Sequence, residues 1–240
     1  MIQVKRSSRI LIRIGFLLTL ITLFSCSPEY IPNMANTPMF DEKGEIQANI
    51  TRGVSGTDIQ AAYAVTDHLG VMANTSFYKS TSDTSDDFHQ HGIYEFALGY
   101  YGDISDYGRF EVYGGFGAGK IQAYNEDMVF DDPITDATFS KLFIQPSFGM
   151  KSDIFDANLG TRLAMIKVNY KQEAPGLNES FQPFIEPMLT GRLGFKYVKF
   201  IGQVGLSFPL KTETVFDYQP FIINLGLHFN INPVKMNLGE

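Results

Sequence analysis

The sequence predicts an all-β fold: an antiparallel up-and-down transmembrane β-barrel of about ten strands, with eight as the alternative count. Three observations point there. From Gly44 onward apolar residues recur at period two, and no stretch of helical length places them at i, i+3, i+4 and i+7. The connections between candidate strands are short on one side and long and polar on the other, as in a membrane meander. The composition also fits, with 21 Phe, 12 Tyr and 22 Gly among 240 residues, against one Cys and no Trp.

Composition also excludes other classes. A mean hydropathy of −0.05 rules out a polytopic helical membrane protein. The aromatic content is too high, and the charge too low, for a disordered chain. One Cys leaves no disulfide framework and no Cys-based zinc module. A net charge of −7 argues against nucleic acid, which attracts a basic face.

Residues 1–25 read as a signal peptide. Lys5, Arg6, Arg9 and Arg13 form its basic start, and Ile14 to Phe24 is an apolar run too short for a bilayer that needs about 20 residues. The run ends at Leu23-Phe24-Ser25-Cys26, which resembles a bacterial lipobox, so Cys26 is expected to carry a covalent lipid. Ser27 after it resembles lipoproteins sent to the outer membrane. Removing 1–25 takes four of the 19 basic residues and none of the 26 acidic ones, which leaves an acidic mature chain.

Residues 26–43 contain three Pro and no periodicity, and are expected to be an extended, periplasmic, lipid-anchored linker. The barrel is expected over 44–231. Its strands are 44–52, 56–66, 70–79, 92–101, 107–124, 139–151, 154–170, 182–196, 198–209 and 218–231, and a tail follows at 232–240. An even strand count places both ends of the barrel on the short-turn side. With the lipid in the inner leaflet, the N-terminus is then expected to be periplasmic.

The faces of the strands separate a membrane barrel from a soluble one. The last strand offers Phe221, Ile223, Leu225, Leu227, Phe229 and Ile231 on one side, and Asn224, Gly226, His228 and Asn230 on the other. The polar face is Gly, Ser, Asn and isolated charges, so it is assigned to the lumen and the large apolar face to lipid. Arg162 and Arg192 lie mid-strand, where facing lipid would cost about 2–4 kcal/mol, so they point inward. Glu95, Glu111 and Glu186 share that interior. These five residues are expected to form a structural charge network, with Arg192 paired to one of the three Glu. Tyr100, Tyr101, Tyr107, Phe110, Phe195, Tyr197, Phe200, Phe216, Tyr218 and Phe221 cluster near strand ends, as girdles do.

Two motifs carry possible chemistry. Gly114 to Lys120 has the spacing of a phosphate loop, yet Ile121 stands where Ser or Thr should follow and the strand continues; Gly115, Gly117 and Gly119 read as lumen glycines. His89 and His91, after Asp83, Asp86 and Asp87, are weak metal candidates on an expected exposed loop, so no metal site is assigned. The ten-strand count resembles the omptin outer-membrane proteases, and His89 or His91 with Asp86 or Asp87 could imitate their rim. The two separated acid pairs of that family have no clear counterpart here.

Taken whole, the mature chain resembles a family of small outer-membrane β-barrel lipoproteins common in Bacteroidetes, with a porin-like barrel fold. The resemblance rests on Cys26, Tyr30-Ile31-Pro32-Asn33, Asn36-Thr37-Pro38-Met39-Phe40 and Glu42-Lys43-Gly44-Glu45. It continues through Gly56 to Thr66, Phe143-Ile144-Gln145-Pro146 and Asn224 to Phe229. It implies an outer-membrane location and no reaction or catalytic residues. The expected function is therefore a closed barrel with a structural or accessory role, not an enzyme. It would have no cofactor beyond the lipid, with outer-membrane lipids and possible protein partners. An omptin-like hydrolase and a small-solute pore are the alternatives.

Overall fold

Period-two alternation becomes a closed wall because every strand finds a hydrogen-bonded neighbour on both edges. The computed structural model describes residues 28–81, 88–124, 135–171, 179–211 and 216–232. Its strands are β1 (Ile46–Gly53), β2 (Gly56–Ala64), β3 (Leu69–Thr81), β4 (Phe88–Asp103), β5 (Gly108–Tyr124), β6 (Thr135–Met150), β7 (Phe155–Tyr170), β8 (Glu179–Gly194), β9 (Val198–Leu206) and β10 (Phe221–Ile231). Phe208 and Pro209 continue β9 past Ser207 in the same register against β8. Each strand pairs antiparallel with the next, and β10 pairs with β1 to close the barrel. No sheet edge is left open, which is what spanning a membrane with strands requires.

Short turns join β2 to β3, β4 to β5, β6 to β7 and β8 to β9 at one end. The β1–β2 turn lies at the other end, among the long connections. Gly56 in that turn has a φ of 101°, a left-handed conformation that glycine adopts without a Cβ penalty. Several strands run further toward the long-loop end than the alternation of large apolar residues suggests. β4 begins at Phe88, not 92, so His89-Gln90-His91 is wall and not exposed loop. The wall from β4 to β8 is 16 or 17 residues high, against the roughly 9–11 that cross a bilayer. Polar residues could occupy this extension because its backbone stays paired.

The faces fall as the alternation predicts. Leu98, Phe116, Leu142, Leu189 and Leu225 are all more than half exposed on the outside. Glu95, Glu111, Arg162, Glu186 and Arg192 are all buried in the lumen. Tyr100, Tyr107, Phe195, Tyr197 and Phe200 are exposed near the short-turn end, as a girdle would be. Tyr101 and Phe216 are not part of any girdle: both are buried inside.

Leu142 lies midway along β6 with Phe116 and Met165 as its outward-facing register partners. Leu142→Arg is predicted to destabilise the inserted barrel by about 2–4 kcal/mol, the cost of a cation against lipid at the midplane. Heat-modifiable gel mobility and denaturant refolding in lipid should report the loss. Folding as stable as that of the unchanged chain would overturn the face assignment.

Candidate functional site, a lumen filled by the N-terminal segment

The segment expected to be a tether outside the barrel lies inside it. Every residue from Tyr30 to Phe40 is buried. Tyr30 makes a parallel bridge to Tyr218, with its N–H donating to Asp217 O at 3.0 Å and its carbonyl accepting from Gln219 N at 2.9 Å. This places Tyr30 at the long-loop end. At the other end, Gly44 N–H donates to Ala64 O at 2.9 Å beside the start of β1. The chain thus crosses the full lumen before the first strand begins, and β1 then carries it back up the wall. The barrel does begin and end at the short-turn side, as expected, but Tyr30 sits at the opposite end.

Between these two ends the segment makes no backbone bond to the described residues of the wall, so its peptide groups there must be satisfied by side chains. Met34 N–H donates to Asp58 at 3.2 Å, and Met34 O accepts from Gln60 at 2.7 Å. Ala35 N–H donates to the Met188 sulfur at 3.0 Å, and Ala35 O accepts from Gln203 at 3.1 Å. Asn36 O accepts from Gln145 at 2.7 Å, Thr37 O from Arg192, and Met39 N–H donates to Glu111 at 2.7 Å. Met39 has a φ of 55°, unusual for a residue with a Cβ, and its contact with Glu111 helps hold it there.

Around this strand the lumen is layered. At the long-loop end Tyr30 packs on Phe184, Phe139 and Phe216, with centroid separations of 5.2, 6.3 and 6.3 Å, and the Tyr30 hydroxyl donates to Glu186 at 2.9 Å. Phe216 and Tyr218 therefore help close the lumen and do not face lipid. Gly115 and Gly119 make room for Phe143 and Phe139, whose rings would lie 2.5 Å from an added Cβ. Toward the short-turn end Phe40 packs on Tyr101, and Met39 and Phe40 press on Gly149 and Gly70. At the rim, Asp41 pairs with Arg109 at 2.7 Å and with Lys151 at 2.9 Å. Partial burial pushes the Asp41 carboxyl up, but Lys151 and Arg109 more than offset it and hold it below its ordinary value. That contribution is therefore fully present above the ordinary carboxylate range and is lost as pH falls below it.

The five charges read from the sequence are all in the lumen, but they form separate groups. Glu95, Arg162 and Glu186 come together: Arg162 lies 3.5 Å from Glu95 and 3.7 Å from Glu186. Lys141, which the sequence reading missed, pairs with Glu95 at 2.5 Å. Asn33 of the threaded segment sits at the centre. Its amide donates to Glu95 at 2.7 Å, and its carbonyl oxygen accepts from Lys141 at 2.8 Å and Arg162 at 3.2 Å. Glu111 belongs elsewhere, bonded to Met39 N–H and accepting from Ser147 at 3.3 Å. Arg192 has Asp156, its cross-strand neighbour, at 3.9 Å in place of the expected Glu. Asp156 in turn pairs with Lys199 at 2.7 Å.

His89 and His91 are buried on the lumen face near the long-loop end, where His89 Nε2 and His91 Nδ1 are 3.0 Å apart and Tyr78 stacks on His91. Asp83, Asp86 and Asp87 lie outside the described residues, as does Cys26. Among the described residues no group of three metal-ligating side chains is present.

Lys141→Met is predicted to destabilise the barrel by about 3–5 kcal/mol, because it leaves Glu95 buried without its closest cation. Combining it with Glu95→Gln should recover much of that loss. Arg192→Leu should cost less than Lys141→Met, since Lys199 still holds Asp156. Denaturant titrations in micelles give the ranking, and an equal loss for both single variants would contradict the grouping.

No family model matches the chain, and no curated protein matches it. Among solved structures it is similar to the outer membrane protease OmpT from Escherichia coli. The match has 11% identity and a TM-score of 0.47, and covers 83% of this chain and 99% of that one.

Proposed function

We propose that this protein is an outer-membrane β-barrel lipoprotein of a Gram-negative bacterium, closed to solutes, with a structural or accessory role. Its rim, loops and outer wall would meet partners in the membrane. The observation that carries this reading is the filled lumen. A pore needs a continuous water path, whereas here an extended chain with every residue from Tyr30 to Phe40 buried occupies the axis. Among the described residues, the lumen charges Glu95, Lys141, Arg162, Glu186, Asp156 and Lys199 are engaged with one another, and Asp58, Glu111 and Arg192 with that chain.

The outward charges support an orientation with the long loops at the cell surface. Arg52 and Lys120 share one register row through Thr57, Phe77 and Gly92. Lys79 and Lys167 lie within two residues of that row on their own strands. Outward cations near the long-loop ends of their strands fit the phosphorylated headgroups of an outer leaflet. Asp136, the outward carboxylate beside them, is bridged by Lys171 at 2.7 Å.

Planar-bilayer recordings of the purified protein should give no unitary conductance. Steady openings at low voltage would instead favour the small-solute pore. Mass spectrometry of the protein from native membranes should find a diacylglyceryl group on Cys26 as the mature N-terminus. A free Ser27 or an unmodified Cys26 would remove the lipid from this reading.

A further inference from the structure

The threaded segment fixes which end of the barrel the mature N-terminus leaves from. Pro28 is buried, the Glu29 carboxylate accepts from the Tyr170 hydroxyl at 2.8 Å, and Tyr30 is bridged to Tyr218. Tyr170 ends β7 and Tyr218 precedes β10, both at the long-loop end. Cys26 is two residues from Pro28, so its Cα lies within about 7 Å of the Pro28 Cα even if the chain is fully extended. The apolar band of an outer-membrane barrel is about 25 Å tall. A lipid on Cys26 therefore has no reach to the leaflet at the short-turn end unless residues 28–43 leave the lumen. Leaving would expose the acceptors of Met34, Ala35, Asn36 and Thr37, uncover the Tyr30 cap, and unpair Asp41 from Arg109 and Lys151.

We propose that the N-terminal segment is threaded outward through its own barrel, so that the acylated N-terminus lies at the cell surface and its chains enter the outer leaflet. This rests on the reading of Cys26 as lipidated and of the long loops as external. The sequence by itself suggested an inner-leaflet anchor, because the segment looked like a tether. Inside the lumen the same residues form an axial strand, and the lipid becomes a second, external attachment on the opposite side of the membrane.

The test uses the full-length protein with a short epitope inserted between Ser27 and Pro28, and unheated gel mobility confirms that it folds. The epitope should bind antibody equally on intact and on permeabilised cells. Recovery of binding only after permeabilisation would overturn the proposal. Impermeant thiol labelling of Ser82→Cys and Ser105→Cys reports the barrel's orientation. Ser82→Cys should label intact cells and Ser105→Cys should not, and the reverse pattern would also overturn the proposal. Ala35→Cys with Met188→Cys, two side chains in contact across the lumen, should cross-link through a short bifunctional thiol reagent if the segment occupies the lumen in cells; failure to cross-link in the folded protein would contradict threading. Mass spectrometry of Cys26 separates the lipid from the route. An unmodified Cys26 with a surface epitope would refute the lipid in the proposed function and its insertion in the outer leaflet, while leaving the outward path supported.

Discussion

Polar groups that line a narrow barrel must find partners inside it, and the rest of this structure depends on how they do so. Bulk water has little room in a ten-strand lumen already crowded with side chains. A buried donor or acceptor left without a partner costs about 1–3 kcal/mol. The walls here present Gln60, Asn74, Gln145, Gln203, Asn224 and ionisable groups that include Asp58, Glu95, Glu111, Lys141 and Arg162. The threaded segment has the complementary problem, because its peptide groups have no open strand edge to join. Each solves the other: glutamine amides cap carbonyls of residues 34–36, and Asp58 and Glu111 accept from peptide N–H groups. The aromatic cap and the Asp41 ion pairs then fix the two ends.

The wall was legible from the sequence because lipid is a simple solvent. It asks only for large apolar residues at every second position, and Leu142, Leu189 and Leu225 supply them in plain view. The lumen side was legible for the individual charges and for the glycines at 115, 117 and 119, which face inward as alternation requires. Their partners were not. Arg192 meets Asp156 through a cross-strand register that sequence spacing does not contain, and Lys141 reads as an ordinary strand lysine until β6 is placed beside Glu95. The extension of β4 through His89 and His91 was missed because polar strand residues above the membrane look like loop.

The threaded segment had left a signal that three prolines obscured. From Tyr30 to Phe40 there is no Asp, Glu, Lys or Arg, yet the stretch holds Tyr30, Ile31, Met34, Met39 and Phe40. A tether in water has no use for five large apolar side chains and no charge, whereas a chain enclosed by protein does. The charges resume at Asp41, Glu42 and Lys43, where the segment meets the rim. Proline reads as linker because it cannot serve a central ladder. An axial strand has no ladder, so here the missing N–H groups reduce the number of donors the lumen must satisfy.

The same arrangement separates what neutralises the barrel from what blocks it. The main ion pairs of the lumen, Lys141 with Glu95, Arg162 with Glu186 and Lys199 with Asp156, are made within the wall and need no part of the segment. Asn33 joins the first group as a neutral bridge, accepting from both cations and donating to Glu95. These ion pairs therefore belong to the strands, while the segment contributes volume, the aromatic cap and hydrogen bonds to wall amides and to Asp58, Glu111 and Arg192. A barrel built this way is closed by bulk and hydrogen bonding, not by an electrostatic barrier. The proposed reading of an acidic chain with many internal charges as a plugged scaffold, and not as an ion-selective channel, rests on that difference.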